Sequence, residues 1–186
     1  MKSIIFIAVF CGLMPFVACT QSNKPNPKDK PVGGGCEGCE AIYECPVPFS
    51  QLNHIDTLPD FQEPGPKLVV SGVVYKADGV TPAPNVVLYV YHTDQKGLYS
   101  KGDKGWGKRH GYIRGWVRTN AKGEYKFYTL IPASYPNSTI EKHIHPTIKE
   151  EGFTEYYIDD YTFDNDKFLT GDLRKRMELR GGNGVL

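Results

Sequence analysis

Short runs of β-branched and aromatic residues recur through the second half of the chain, and turn-forming residues separate them. Such runs are typical of β-strands, because branched and aromatic side chains pack well on a pleated surface. We therefore predict strands over residues 68–75, 85–92, 112–119, 124–130, 141–148 and 153–158. A helical period is present only weakly, around residues 173–179. Short strands at regular spacing predict an all-β fold, an antiparallel β-sandwich.

The turn residues indicate how consecutive strands connect. The Asp78-Gly79 turn and the proline-containing residues 82–84 separate the first two predicted strands. Residues 120–123, Asn-Ala-Lys-Gly, stand between the third and the fourth strand, and they predict a hairpin there. We expect the compact domain to begin near Lys67 and to span residues 67–186.

The first 18 residues have the pattern of an export signal. Lys2 supplies a positive start, and residues 4–10 form an apolar stretch too short to span a bilayer, which needs about 20 residues. The stretch ends in Phe16-Val17-Ala18-Cys19, which resembles a lipobox with Phe in place of the usual Leu. We expect lipidation of Cys19 and anchoring to the envelope membrane, the outer membrane being favoured because Thr20 follows instead of Asp. The alternative is an ordinary secretory signal with Cys19 incidental.

The segment between the signal and the predicted domain has two parts. Residues 19–35 are rich in Pro, Lys, Asn and Gly and predict a flexible tether, and residues 36–66 form a cysteine-containing lead-in. An exported chain favours one disulfide and one odd thiol among Cys36, Cys39 and Cys45, with the pairing left open. A metal or redox site on the Cys-x-x-Cys pair is the alternative, although zinc needs four ligands.

Charge excludes one class of partner. The chain has 22 Lys and Arg against 21 Asp and Glu, a formal net charge of +1. Binding to nucleic acid needs a basic face that neutralises phosphates, so this balance predicts no nucleic-acid partner. The same balance speaks against a polybasic mode of membrane binding. The sequence does not indicate an oligomeric state.

The strongest chemical signal is His143-Ile144-His145 in the fifth predicted strand. Side chains at i and i+2 project from the same face of a strand, so both imidazoles point to one side. Two neutral imidazoles at this spacing are half of a metal site. By itself the pattern is also compatible with two histidines on a solvated strand.

The order of several motifs resembles the intradiol ring-cleavage dioxygenases, which include catechol, protocatechuate and hydroxyquinol dioxygenases. The resemblance covers residues 67–165 and rests on segments that include NVVLYVYH, GLYS, TLIPASYP and HIH. It implies one non-haem Fe(III) held by Tyr99, Tyr135, His143 and His145. It also implies a catechol-type substrate and O2, with Tyr135 leaving the metal when substrate arrives and taking up a substrate proton. The ring would open between its two hydroxyl-bearing carbons.

Two positions depart from the family pattern. The family places an Arg three residues before the first His, where Ile140 stands in this chain. It also has a Gln in the following strand, and the equivalent here is Glu155. Both changes remove stabilisation of the transition state. Lys142, Arg114 and Arg109 are the cations that could compensate.

The sequence is therefore compatible with three functions. The leading one is an aromatic-ring dioxygenase on a lipid tether, and the second is a non-catalytic lipoprotein that binds iron, a catecholate or a glycan. The third is a transthyretin-like structural module. His92 and His110 are expected in strands or loops near the mouth of the site. Trp106, Tyr112 and Trp116 could line an aromatic pocket or belong to the core.

Overall fold

The computed structural model describes residues 32–35, 37–102, 109–177 and 186. The predicted signal segment, Cys19, most of the predicted tether and Trp106 lie outside these residues. Eight strands are present in the described part: β1 (Ile55–Thr57), β2 (Lys67–Val73), β3 (Val87–Tyr91), β4 (Arg114–Arg118), β5 (Glu124–Leu130), β6 (His143–Lys149), β7 (Tyr156–Tyr157) and β8 (Tyr161–Thr162). Three 3-10 helices (Cys39–Glu44, Phe49–Gln51 and Pro59–Gln62) and one α-helix, α1 (Gly171–Arg176), complete the described elements.

The strands form two sheets that pack face to face. One sheet has the order β1-β5-β2 and the other the order β4-β3-β6-β7, with β8 also paired to β6. Leu88 and Val90 of β3 face Phe127 of β5 across the interface, and all three are buried. The predicted all-β sandwich is confirmed.

The predicted hairpin at residues 120–123 is wrong as a strand pairing. The turn itself is present, since Gly123 N donates to Asn120 O and Asn120 N to Glu124 O. The strands on its two sides, however, belong to different sheets: β4 pairs with β3, and β5 pairs with β2 and β1. The turn therefore carries the chain from one layer of the sandwich to the other.

Residues before Lys67 are built into the sandwich. Strand β1 pairs with β5 in parallel, which places Asp56 beside Phe127. The helix Cys39–Glu44 lies on the outer face of the β4-β3-β6-β7 sheet, where Ala41 and Ile42 pack on Tyr89 and Trp116. Strand β3 is consequently buried on both faces, which explains why its sequence VLYVY is apolar and aromatic throughout rather than alternating.

Two polar contacts hold the lead-in to this outer face. Trp116 Nε1 donates to the carbonyl oxygen of Ile42 at 2.8 Å. The buried guanidinium of Arg114 forms an ion pair with Glu44 at 2.5 Å and lies over the Trp116 ring. Cys39 is disulfide-bonded and buried, and Cys45 is a free thiol. The lead-in and the outer face of this sheet thus enclose a second, smaller hydrophobic core, which ends beside β6.

Helix α1 overlaps the start of the weak helical period at residues 173–179. The Thr170 side chain caps it by accepting a hydrogen bond from Leu173 N. Within the part of the chain that the structure describes, no helix is long and apolar enough to cross a bilayer.

Candidate metal centre

Four side chains from three parts of the chain meet at one end of the sandwich. His143 and His145 come from β6, and they point to the same face because they are two residues apart. Tyr99 comes from the loop after β3, and Tyr135 from the loop after β5. These are the four residues that the resemblance to the intradiol dioxygenases implies as iron ligands.

The polar atoms of these side chains converge. Tyr99 Oη lies 2.6 Å from Tyr135 Oη and 3.0 Å from His145 Nε2. Tyr135 Oη lies 3.1 Å from His143 Nε2, and the two Nε2 atoms are 3.0 Å apart. Metal ions bind nitrogen and oxygen ligands at about 2.0–2.2 Å. Donor atoms separated by these distances are therefore close enough to bind one ion together.

Each imidazole is oriented by a hydrogen bond at its far nitrogen. His143 Nδ1 donates to the carbonyl oxygen of Glu141 at 2.7 Å. His145 Nδ1 lies 2.9 Å from Asp160 Oδ1, a carboxylate acceptor. With the proton on Nδ1, the lone pair of each Nε2 points at the cluster, as metal ligation requires. Burial also lowers the pKa of His143, which favours its neutral form.

Among the described residues, Asp160 is the acidic side chain that groups with the two histidines as a possible metal ligand. Its carboxylate and the two imidazoles offer ligand atoms within 4.8 Å of one another. The Asp160 oxygen faces Nδ1 of His145, however, and not the Nε2 atoms that face the tyrosines. We therefore assign Asp160 to the orientation of His145. The sequence analysis missed this residue, because nothing in local spacing connects it with His145.

The two phenols favour a cation of high charge. Burial raises the pKa of Tyr99, with the hydrogen bond to Tyr135 as the second cause, and burial also raises the pKa of Tyr135. Both side chains are consequently neutral without a cation. A trivalent hard ion would stabilise the phenolate forms, whereas a site for softer ions would use thiolates. The donor set of two phenols and two imidazoles thus fits Fe(III).

The two loops that carry Tyr99 and Tyr135 lie in close contact with each other. Asp94 accepts hydrogen bonds from the backbone N–H groups of Lys96 and Leu98, which shapes the loop before Tyr99. Gly97 has a φ of 76°, and a Cβ there would lie 2.1 Å from the carbonyl oxygen of Ser134. Only glycine allows this approach of the two loops. The spacing between Tyr99 and Tyr135 depends on it.

A row of aromatic rings supports the cluster. Tyr91 stacks between His145, at 4.7 Å between ring centroids, and His110, at 3.7 Å. His110 Nδ1 lies 3.0 Å from the hydroxyl of Tyr89. Burial lowers the pKa of His110 to about 4, so this ring is neutral. The stack packs against the face of the His145 ring without adding charge.

Other residues singled out in the sequence have different positions. His92 does not lie at a mouth, since it is buried in the interior and bonds to Thr129 and Thr93. Trp116 belongs to the outer-face core. Tyr112 packs at the edge of the main core and donates to Glu63. His110 is connected to the cluster only through Tyr91, which stacks between it and His145 in the described part of the chain.

The candidate compensating cations are paired elsewhere. Arg109 pairs with Glu40 at the surface, and Arg114 pairs with Glu44. Lys142 Nζ reaches Asn165 and lies over the ring of Phe163. Ile140 is about half exposed, and Glu155 accepts a hydrogen bond from Tyr43. All three candidate cations therefore have partners other than the four donor side chains.

Comparisons with known proteins show the family to which the chain belongs. The family model described as "Dioxygenase" matches residues 48–179. Catechol 1,2-dioxygenase 1 of Acinetobacter lwoffii is 38% identical over 84 residues, which cover 45% of this chain and 26% of that protein. The chain belongs to the intradiol dioxygenase family. It spans about a quarter of the length of the curated relatives it matches.

Solved structures share the fold. The dioxygenase domain of a dioxygenase–carbohydrate-binding fusion from Streptomyces sp. SirexAA-E superposes with a TM-score of 0.52 at 23% identity, covering 74% of this chain and 78% of that one. Wild-type catechol 1,2-dioxygenase of Acinetobacter radioresistens gives a TM-score of 0.53 at 18% identity, covering 71% and 46%. At these identities the likeness concerns the fold alone.

Proposed function

We propose that this protein is a non-haem Fe(III)-dependent intradiol dioxygenase that cleaves a catechol-type ring with O2. The observation that carries the proposal is the convergence of Tyr99, Tyr135, His143 and His145, with five of the six pairs of donor atoms 2.6–3.5 Å apart. The curated relatives are named catechol 1,2-dioxygenases, which supports the same reaction class.

In this proposal the four donor side chains bind the iron, and Tyr135 has a further role as a proton acceptor. When bound, ferric iron would supply the Lewis acidity and one-electron oxidising power that make a catecholate reactive towards O2. His143 and His145 keep their orientation through Glu141 and Asp160. Tyr135 is half-buried and its pKa is raised by burial, so its phenolate Oη is a strong base once released. It would accept the proton of a catechol hydroxyl.

The first prediction concerns iron and oxygen. Iron-loaded protein should contain about one iron per chain, be red to brown from tyrosinate-to-metal charge transfer, and consume O2 when catechol is added. The product should be a diacid of the cis,cis-muconate type, identified by mass spectrometry. Colourless protein that neither holds iron nor consumes O2 would contradict the proposal.

A second candidate function is a non-catalytic binder of iron or a catecholate. The exposed Ile140 at the family's Arg position, and the pairing of Arg109, Arg114 and Lys142 elsewhere, favour it. The same experiment separates the two functions. A change in the iron spectrum on adding catechol, without any O2 uptake or diacid, would identify the binder.

We further propose that the protein is exported and anchored to the envelope by a lipid on Cys19, with the outer membrane favoured. The support is the apolar stretch that ends in Phe16-Val17-Ala18-Cys19, with Thr20 after it. Mass spectrometry of the native protein should show an N-terminal Cys19 that carries acyl chains. An unmodified Cys19, or a chain that begins elsewhere, would contradict the anchor. Cys19→Ala should release the protein from the membrane fraction.

A further inference from the structure

A buried polar network adjoins the segments that lead into the two tyrosine loops. Asp60 lies in the third 3-10 helix, Thr129 in β5 and His92 directly after β3, and each is at most 1% exposed. Thr129 Oγ1 lies 2.6 Å from His92 Nε2 and 2.9 Å from Asp60 Oδ1. Leu130 N donates to the other carboxyl oxygen, Oδ2, at 3.0 Å. The three side chains therefore form one continuous chain of hydrogen bonds in the protein interior.

The hydrogen atoms in this chain can be assigned one by one. His92 Nδ1 lies 2.8 Å from the carbonyl oxygen of Thr93, which can only accept, so Nδ1 carries a proton. In a neutral imidazole Nε2 is then an acceptor, and the single hydroxyl hydrogen of Thr129 is donated to it. No hydrogen of Thr129 remains for the carboxyl group of Asp60. Because Oδ2 accepts from Leu130 N, a hydrogen bond between Oδ1 and Thr129 requires that Oδ1 carry a proton.

A charged arrangement would also complete the chain. In it, a protonated His92 donates to Thr129, and Thr129 donates to an ionised Asp60. The two charged groups would not be in direct contact, since His92 Nε2 is 4.0 Å from Asp60 Oδ2. Burial opposes both charges: it lowers the pKa of His92 to about 4, and it raises the pKa of Asp60. The neutral arrangement is therefore the more stable one.

The ionisable groups that surround the network favour the same neutral arrangement. His145 and His143 of β6 disfavour a positive charge on His92, in addition to the larger effect of burial. Glu63, at the end of the third 3-10 helix, disfavours a negative charge on Asp60. Tyr112 Oη donates to Glu63, and burial raises the pKa of this phenol, so it is neutral as well.

The network continues into both tyrosine loops. Thr93, whose carbonyl oxygen accepts from His92, donates its hydroxyl to the carbonyl oxygen of Ala133 at 2.6 Å. Ala133 stands two residues before Tyr135, and its N–H donates to the carbonyl oxygen of Asp94 at 3.3 Å. The Asp94 side chain shapes the other tyrosine loop. The positions of both phenol side chains are thus connected to the orientation of His92.

We propose that Asp60 is a positioning residue of the metal centre, which acts as a buried carboxylic acid that keeps its proton at neutral pH and donates it in a hydrogen bond to Thr129. The effect on iron rests on the proposed function, whereas the protonation of Asp60 rests on the hydrogen-bond pattern. A carboxamide has the same pattern, with an oxygen that accepts from Leu130 N and an N–H that donates to Thr129. Asp60→Asn should therefore preserve the network.

Infrared spectroscopy tests the protonation directly. At pH 7 the wild-type full-length protein should show the carbonyl stretch of a protonated carboxylic acid, which Asp60→Asn should lack. Asp172→Asn is the matched control, because it changes an exposed carboxylate in α1, and it should keep the band. A difference spectrum that shows an ionised Asp60 carboxylate at pH 7 would overturn the inference.

The pH dependence of stability gives a second measurement. A folded pKa above the unfolded value of about 4 means that this contribution to stability is complete below that value and is lost as pH rises towards the folded pKa. Within this window the folding equilibrium constant of the wild type should fall tenfold per pH unit relative to that of Asp60→Asn. Urea unfolding of both iron-free proteins from about pH 4 to about pH 8 measures the ratio. A ratio that does not change with pH would contradict the inference.

The positioning role is tested on iron-loaded protein. Asp60→Asn should keep the charge-transfer band and the iron content of the wild type. Asp60→Leu cannot donate to Thr129, and it should lower iron affinity about tenfold. Thr93→Val removes the hydroxyl that reaches Ala133, and it should shift the charge-transfer band while the infrared band of Asp60 remains.

The results separate this inference from the proposed function. An unchanged iron affinity and charge-transfer band in both Asp60→Leu and Thr93→Val would overturn the positioning role and leave the proposed function intact. A wild type that binds no iron would contradict the proposed function and with it the positioning role. The infrared and unfolding measurements need no iron, so they decide the protonation of Asp60 in either case.

Discussion

Replacing His143 with Ala is expected to reduce bound iron from about one atom per chain to about a tenth or less. The imidazole is one of two nitrogen donors in the cluster, and its Nε2 lies 3.0 Å from that of His145. Its removal leaves three donors and a gap on the buried side of the site. Elemental analysis after gel filtration measures the loss. Circular dichroism on the same sample shows whether the sandwich is retained.

Two further variants test the specificity of this effect. His54→Ala removes a histidine outside the cluster, beside β1, and should keep its iron. Asp160→Asn keeps all four donor atoms but weakens the acceptor of His145 Nδ1, so it should lower iron affinity about 10- to 100-fold. Full iron in folded His143→Ala protein would show that the metal lies elsewhere.

The other large effect is expected for Tyr135→Phe. The hydroxyl of Tyr135 is in contact with Tyr99 and His143, so its loss should shift the charge-transfer colour while much of the iron remains. Turnover of catechol should fall about 10²- to 10⁴-fold, because the proposed proton acceptor is gone. Visible spectra and O2 uptake are measured on the same iron-loaded sample.

The control for this prediction is Tyr75→Phe. Tyr75 is half exposed and lies outside the four-donor cluster. Its replacement should change neither the colour nor the turnover. Turnover that is unaffected by Tyr135→Phe would remove Tyr135 from the reaction, and an unchanged colour in both Tyr99→Phe and Tyr135→Phe would refute the ligand assignment.

Local pattern was a good guide to the strands and a poor guide to their partners. The run NVVLYVYH predicted β3, and His-Ile-His predicted a strand that places both imidazoles on one face. The turn at residues 120–123 was read as a hairpin, yet β4 and β5 lie in different sheets. A tight turn reverses the chain in the same way whether the next strand pairs with the last one or crosses to the facing layer.

The lead-in shows a second limit of local pattern. Strand β1 has only three residues, and the helix Cys39–Glu44 is a 3-10 helix, so neither has a periodicity long enough to recognise. Both are held by contacts with residues far along the chain, such as Ile42 with Trp116. Such elements are stabilised by the surface they cover and not by their own sequence.

The sequence by itself determined the fold class, the family and the two histidines on one face, because strand periodicity and motif order are local properties. Tertiary structure alone decided which charges reach the site. It brought Asp160 to His145, while it paired Arg109 and Arg114 with glutamates of the lead-in. The two arginine–glutamate pairs join residues about 70 positions apart, and their energy depends on distances that only the packed sheets set.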